Sequence, residues 1–242
     1  MGRTMTLARR ELGAYFAAPL FWVLSAGFLA FFGLVFGAYI GQEQPVQASM
    51  RPLLQLIGTI LLFVAPMLSM RLLAEEQRSG TLELLMTSPV HDWQVVLGKW
   101  LAALVALVVM MGFTLFHVAI MAKLATNGMD RGELVASYLG ILLLGAALLA
   151  LGTLTSSLTE NQVVAAFLGI MLVMILWFLP FLSEVAGAET RIGKVLKYSG
   201  LSDHYLNFGA GAVDSRDIIY FVTLTIGALY VATRVLETRR WR

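Results

Sequence analysis

The chain contains no cysteine. Disulfides, thiolate metal sites and cysteine nucleophiles are excluded, and nothing reports a redox compartment. Charge is scarce as well: 13% of the 242 residues are Asp, Glu, Lys or Arg, against about 25% in an ordinary soluble domain. The 17 Lys and Arg nearly cancel the 15 Asp and Glu, which leaves a formal +2. The basic isoelectric point thus reflects few charges rather than a basic surface, which disfavours nucleic acid as a partner.

A phosphate-cradling loop is missing too. Gly98-Lys99 is followed by Trp100 and Gly193-Lys194 by Val195, so neither supplies the hydroxyl that such a loop offers to Mg²⁺. The run Gly209-Ala210-Gly211-Ala212-Val213-Asp214 has Asp214 where a dinucleotide fingerprint needs its third glycine and reads as a loop. The chain is therefore not expected to be an ATPase, or to hold a cofactor. If ATP is used, another polypeptide hydrolyses it. An intramembrane metalloprotease would need converging histidines and carboxylates. The only histidines are His91 and His204 in loops and His117 alone in an apolar run. No G-x-S-x-G surrounds Ser25 or Ser69.

What the chain has instead is apolar sequence, 59% of its residues. Six uncharged runs, residues 19–40, 53–70, 100–122, 134–159, 162–183 and 218–233, are read as membrane spans, since a span needs about 17–25 residues. The last is short and would borrow Arg216 and Arg234 as snorkelling ends. Arg3, Arg9 and Arg10 precede the first run in the manner of a signal peptide. A signal peptide's apolar region is only about 7–15 residues long, so the run reads as a retained span. The expected fold is an all-α polytopic membrane protein, a single transmembrane domain over residues 1–242.

Residues 1–18 carry Met5, Leu7, Ala8, Leu12, Tyr15 and Phe16 at helical spacing around Arg9, Arg10 and Glu11. They read as an amphipathic helix in the headgroup region or as an ordinary juxtamembrane flank. With the N-terminus in the cytoplasm, inner segments hold ten Lys and Arg and outer segments seven, and both basic tails lie inside. Both termini and the loop 71–99 are then cytoplasmic. In that loop Arg71–Arg78 consists of good helix formers, Gly80 suits the position after a helix, Thr81 can cap a second helix containing Glu83, and Asp92 can cap the third span. Two short charged helices hinged at Gly80 offer a docking element for a soluble partner.

Gly33, Gly37 and Gly41 in the first span either admit a close helix or reflect the high glycine content of membrane helices. Pro66 and Pro180 are expected to kink spans two and five. The turn Glu160-Asn161 implies a tight antiparallel pair of spans four and five. Segment 184–217 reads as one or two outer amphipathic helices, with room for an extracytoplasmic protein partner. His117, the one ionisable group well inside a span, reads as a functional site or, the favoured reading, as a neutral ring hydrogen-bonded to a neighbouring helix. The almost uniformly apolar spans suit a lipid-like cargo or a mechanical role better than an ion.

Arg71–Pro89, with Glu75-Glu76, Ser79-Gly80-Thr81, Glu83-Leu84-Leu85 and Ser88-Pro89, resembles the signature of ABC-2-type transporter permeases. Arg10-Glu11-Leu12 with Tyr15-Phe16 and Pro19 is similar to that family's N-terminal interfacial helix. Leu201-Ser202, His204, Phe208, Gly211, Val213-Asp214, Arg216-Asp217 and Tyr220-Phe221 are similar to the approach to the last span in its gliding-motility-type and NosY-like subgroup. Tyr205 stands where phenylalanine is usual. The resemblance implies a six-span subunit of the bacterial inner membrane, dimeric with itself or a related permease. It would work on cytosolic ATPase subunits that hold ATP and Mg²⁺, for export or force transmission. It also implies that Glu75, Glu76, Arg78, Ser79, Gly80, Thr81 and Glu83 form a coupling helix seated in the ATPase. An intramembrane enzyme and an ATP-independent secondary transporter are the alternatives.

Overall fold

A computed structural model of the chain describes residues 2–42, 49–80, 91–125, 128–187 and 189–239. Among these the fold is entirely helical, with no strand. The helices are α1 (Gly2–Ala17), α2 (Pro19–Gln42), α3 (Arg51–Ser69), α4 (Arg71–Ser79), α5 (Asp92–Leu124), α6 (Arg131–Leu158), α7 (Gln162–Val185), α8 (Arg191–Ser199), α9 (Leu201–Gly209) and α10 (Ser215–Arg239). Six of them, α2, α3, α5, α6, α7 and α10, are long and apolar enough to cross a membrane.

The bundle is organised around α3 and α6. In each, 61% of the most apolar stretch is buried, against 28% in α2, 17% in α7 and 22% in α10. The outer helices therefore present Phe31, Leu34, Phe167, Ile175, Phe178 and Ile226 outward, the pattern of a protein whose solvent is lipid. Small residues let the inner helices approach. A Cβ at Gly58 of α3 would lie 2.2 Å from the Tyr205 ring of α9, one at Gly145 of α6 2.3 Å from Leu107 of α5, and one at Gly140 2.6 Å from Phe208. The span-one glycines behave differently. Gly33 faces His117, while a Cβ at Gly37 or Gly41 meets nothing. Close helix packing inside the subunit lies on spans two and four.

Several boundaries differ from the sequence expectation. The third span begins at Asp92 rather than residue 100 and runs 33 residues, so the connecting loop is shorter than 71–99. His91, not Asp92, is the residue before its first turn, and its N–H is bonded to Gln94 Oε1 at 3.2 Å. Asp92 sits inside that turn, where a carboxylate faces the positive end of the helix dipole. The last span is not short: α10 extends 25 residues from Ser215 to Arg239. Arg234 lies well inside it and pairs with Glu237 at 2.7 Å. Helices α3 and α7 run through Pro66 and Pro180 without a break, and the interruption comes at Met70. There the backbone stays right-handed α, so α4 follows α3 almost directly.

Successive spans alternate in direction, which collects the functional features at two ends. The α4 end holds α1, α4 and the last turns of α6 and α10, joined by Leu73, Val96, Ala232 and Leu236. At the opposite end α8 and α9 pack on α7, α6 and α10. The segment 184–217 thus contains two helices, as the spacing allowed. The turn between α6 and α7 is closed by Asn161, whose Oδ1 accepts from the Val163 N–H at 2.9 Å, and those two helices pack together.

Candidate functional site

At the α4 end the sequence places a short charged helix directly after an apolar one, and the fold fastens it. Helix α4 begins where the orphan N–H groups of a helix start need acceptors, yet it has no capping side chain of its own. Ser156 of α6 supplies one. Its Oγ accepts from the N–H groups of Leu73 and Ala74, both at 3.0 Å, and donates to the Met70 carbonyl at 2.7 Å. One turn on, Gln77 Nε2 donates to the Ser157 carbonyl at 3.1 Å. The apolar side of α4, Leu72, Leu73 and Ala74, is fully buried. Gly80 ends the helix with φ 70°, a left-handed conformation that favours glycine.

Removing the Ser156 hydroxyl is expected to release this helix. Ser156→Ala would leave the Leu73 and Ala74 N–H groups and the Met70 carbonyl buried without partners, a cost of about 1–3 kcal/mol. Thermal unfolding in detergent should show that loss. An unchanged melting temperature would mean that Ser156 does not hold α4.

Against the other flank of α4 lies α1, which packs along the first turns of α5. A Cβ at Gly98 would come within 3.1 Å of the Thr4 carbonyl. This close approach brings three elements onto one cation. Lys99 Nζ, in a side chain only 3% exposed, reaches Glu76 Oε1 of α4 at 2.8 Å and Glu11 Oε1 of α1 at 3.2 Å. Arg10, 62% exposed, touches the same two carboxylates from outside at 3.2 and 3.8 Å and adds little through water. Tyr15 of α1 donates its hydroxyl to the Leu68 carbonyl at 2.7 Å, and the Arg71 guanidinium lies 4.2 Å over its ring. Burial pushes the Tyr15 pKa well above its ordinary value, so the hydroxyl remains a donor throughout the physiological range. Between α1 and α4 opens a cleft of about 510 Å³ lined by Glu11, Arg71, Glu75, Glu76 and Lys99 over a wall of alanines.

The residues singled out in the sequence thus fall into separate groups. Glu75, Arg78, Ser79 and Gly80 are exposed on α4 or at its end. Glu76 turns inward to Lys99. Thr81 and Glu83 lie outside the described residues, as does the second loop helix. His117 lies on α5 towards the other end, among Phe32, Phe36 and Phe116. Its Nδ1 is buried and has no hydrogen-bond partner among the described residues, so the expected bond of the ring to a neighbouring helix is not made through this nitrogen. No carboxylate accompanies it, and no group able to hold a metal occurs among the described residues.

Lys99 and Ser156 escaped the sequence reading. Lys99 reads as a flanking cation until the helix is seen to begin at Asp92, which puts it two turns inside. The run Thr153-Leu154-Thr155-Ser156-Ser157 was the available signal for a hydroxyl-lined helix end. A second cluster also went unread. At the α9 end the His204 ring bonds Asp217 through Nδ1 at 2.5 Å and the Tyr198 carbonyl through Nε2 at 2.9 Å. It stacks on Tyr220 at 4.0 Å, and Asn207 donates to the second Asp217 oxygen at 3.0 Å. Both His204 nitrogens and both Asp217 oxygens have partners, which is the signature of a structural fastening between α9 and α10.

Residues 5–197 match a family model described as ABC-2 family transporter protein. That match covers α1, α4 and α5 and ends in α8, before the His204 cluster. No curated protein matches the sequence.

Proposed function

The chain belongs to the ABC-2 transporter family, and from that premise we propose how this permease subunit takes up work. In our reading a separate cytosolic ATPase, holding ATP and Mg²⁺, docks on α4 and drives export or force transmission across the bacterial inner membrane. The observation that carries the reading is the bonding of α4. Its exposed face offers Glu75 and Arg78, while its buried face is tied to the central helix α6 through Ser156 and Ser157. A push on α4 is therefore delivered to the core of the bundle rather than absorbed in a slack loop. Ser79, Gly80, Thr81 and Glu83 belong to the same proposed docking surface. Glu76 contributes by holding α4 against α1 and α5.

The excess of Lys and Arg in the inner segments supports cytoplasmic termini. The subunit would work with a second copy or a related permease, for which the outward ridge Phe167, Met171, Ile175 and Phe178 of α7 offers an apolar face. The likeness of Leu201–Phe221 supports the gliding-motility-type or NosY-like subgroup, and α8 with α9 supplies a surface for an extracytoplasmic protein.

Because Glu76 is internally paired, the docking test belongs on the exposed charges. Glu75→Lys combined with Arg78→Glu should abolish co-purification of the partner ATPase, while gel-filtration behaviour of the permease stays unchanged. Full retention of the ATPase would overturn the docking surface.

A further inference from the structure

The cleft between α1 and α4 shares Glu75 and Ser79 with the proposed docking surface but reaches past it to Arg71, Glu11 and Lys99. Three carboxylates, Glu11, Glu75 and Glu76, and two cations, Arg71 and Lys99, line it. Lys99 and the exposed Arg10 together balance Glu11 and Glu76. Arg71 and Glu75 are outside that balance. They stand four positions apart on one helix, a spacing at which such side chains ordinarily meet, yet Arg71 is drawn over the Tyr15 ring. Neither has an ion-pair partner among the described residues. The cleft therefore presents one guanidinium, resting on Tyr15, and one carboxylate that no opposite charge among the described residues neutralises. Its volume of about 510 Å³ falls in the range of small-ligand sites.

Depth in the membrane narrows the ligand. Arg71 is the first charge after the apolar run 53–70. Across the cleft, Ala17 and Ala18 lie immediately before Pro19, where the first span begins. Both walls thus stand at the level of lipid headgroups. We propose that the α1–α4 cleft binds the phosphoethanolamine headgroup of a phospholipid, its phosphate on Arg71 and its ammonium on Glu75. A guanidinium donates two parallel hydrogen bonds to phosphate, and a primary ammonium brings three donors to carboxylates. Choline fits less well, since quaternary ammonium is held by aromatic cages and no aromatic residue lines the cleft among the described residues. Glycerol headgroups carry a negative phosphate and no cation, so they would leave Glu75 without a counter-charge.

The test uses the full-length purified chain without any ATPase, so that docking plays no part. Phosphatidylethanolamine, phosphatidylcholine and phosphatidylglycerol with identical acyl chains are compared by lipid retention in native mass spectrometry and by thermal shift. Phosphatidylethanolamine should be retained and raise the melting temperature, and the other two should not. Arg71→Gln and Glu75→Gln should each weaken that retention about tenfold, the scale of one charge-assisted hydrogen bond. Glu75 is exposed, so its variant keeps the test open should Arg71→Gln unfold. Equal retention of phosphatidylcholine or phosphatidylglycerol would overturn the proposal, as would Glu75→Gln binding phosphatidylethanolamine like the wild type. Soluble phosphoethanolamine binding as tightly as the lipid would overturn the lipid assignment.

Discussion

Lys99→Met is expected to destabilise the protein by on the order of 3–5 kcal/mol, the cost of leaving buried charge without its partner. Lys99 is 3% exposed, and the Glu11 and Glu76 side chains that converge on it are 16% and 14% exposed. Without the ammonium, two carboxylates on different helices face each other with only the exposed Arg10 nearby. Repulsion should then part α1 from α4. Neutralising the whole network restores balance. In Lys99→Met with Glu11→Gln and Glu76→Gln no charge is stranded, and most of the lost stability should return, because removing every member of a buried ionic cluster is often nearly neutral. Melting temperatures in detergent rank the variants: wild type, then the triple variant close behind, then the single variant well below. A triple variant as unstable as Lys99→Met would show that the loss does not come from carboxylates stranded without their counter-charge.

Gly58→Ala should be strongly destabilising although it adds only one methyl group. On an exposed helix the change would favour folding by about 1 kcal/mol. Here the new Cβ would sit 2.2 Å from Tyr205 Cε1 and 2.5 Å from Cζ. The ring has little freedom to retreat. It is 3% exposed, and its hydroxyl donates to the Leu54 carbonyl at 2.6 Å. Overpacking of this kind costs about 1–3 kcal/mol, and the broken hydrogen bond adds to it, so α9 should separate from α3. The check is a double-mutant cycle with Tyr205→Leu, which removes the obstructing ring. Gly58→Ala should be strongly destabilising in the wild-type background and nearly harmless beside Leu at position 205. Equal costs in both backgrounds would show that the ring is not the obstacle.

Composition and run lengths were enough for the fold class, because a membrane helix satisfies its backbone internally and needs only a long apolar stretch. They read less well at the ends. The third span starts earlier than its uncharged run because Lys99 finds Glu11 and Glu76 instead of water, so a charge that looked like a flank lies inside the packed helix. The last span is longer than its uncharged run for a related reason. Asp217 is accepted within α10 by His204 and Asn207, partners that precede it by 13 and 10 residues and belong to another helix. Charge reads as a boundary in sequence only while its partner is unknown.

The sequence alone determined that this chain has six stretches long and apolar enough to cross a membrane and carries a charged helical element after the second of them. These are properties of composition and of local spacing, and they do not depend on how the helices pack. Tertiary structure decided which charges of that element are free. Glu75 and Glu76 are adjacent and chemically identical in sequence, but a helix turns about 100° per residue, so one faces outward and the other meets Lys99. It also decided that α4 is fastened to α6 by Ser156, since that hydroxyl lies more than 80 positions from the groups it bonds, and only packing brings so distant a donor and acceptor within 3.0 Å.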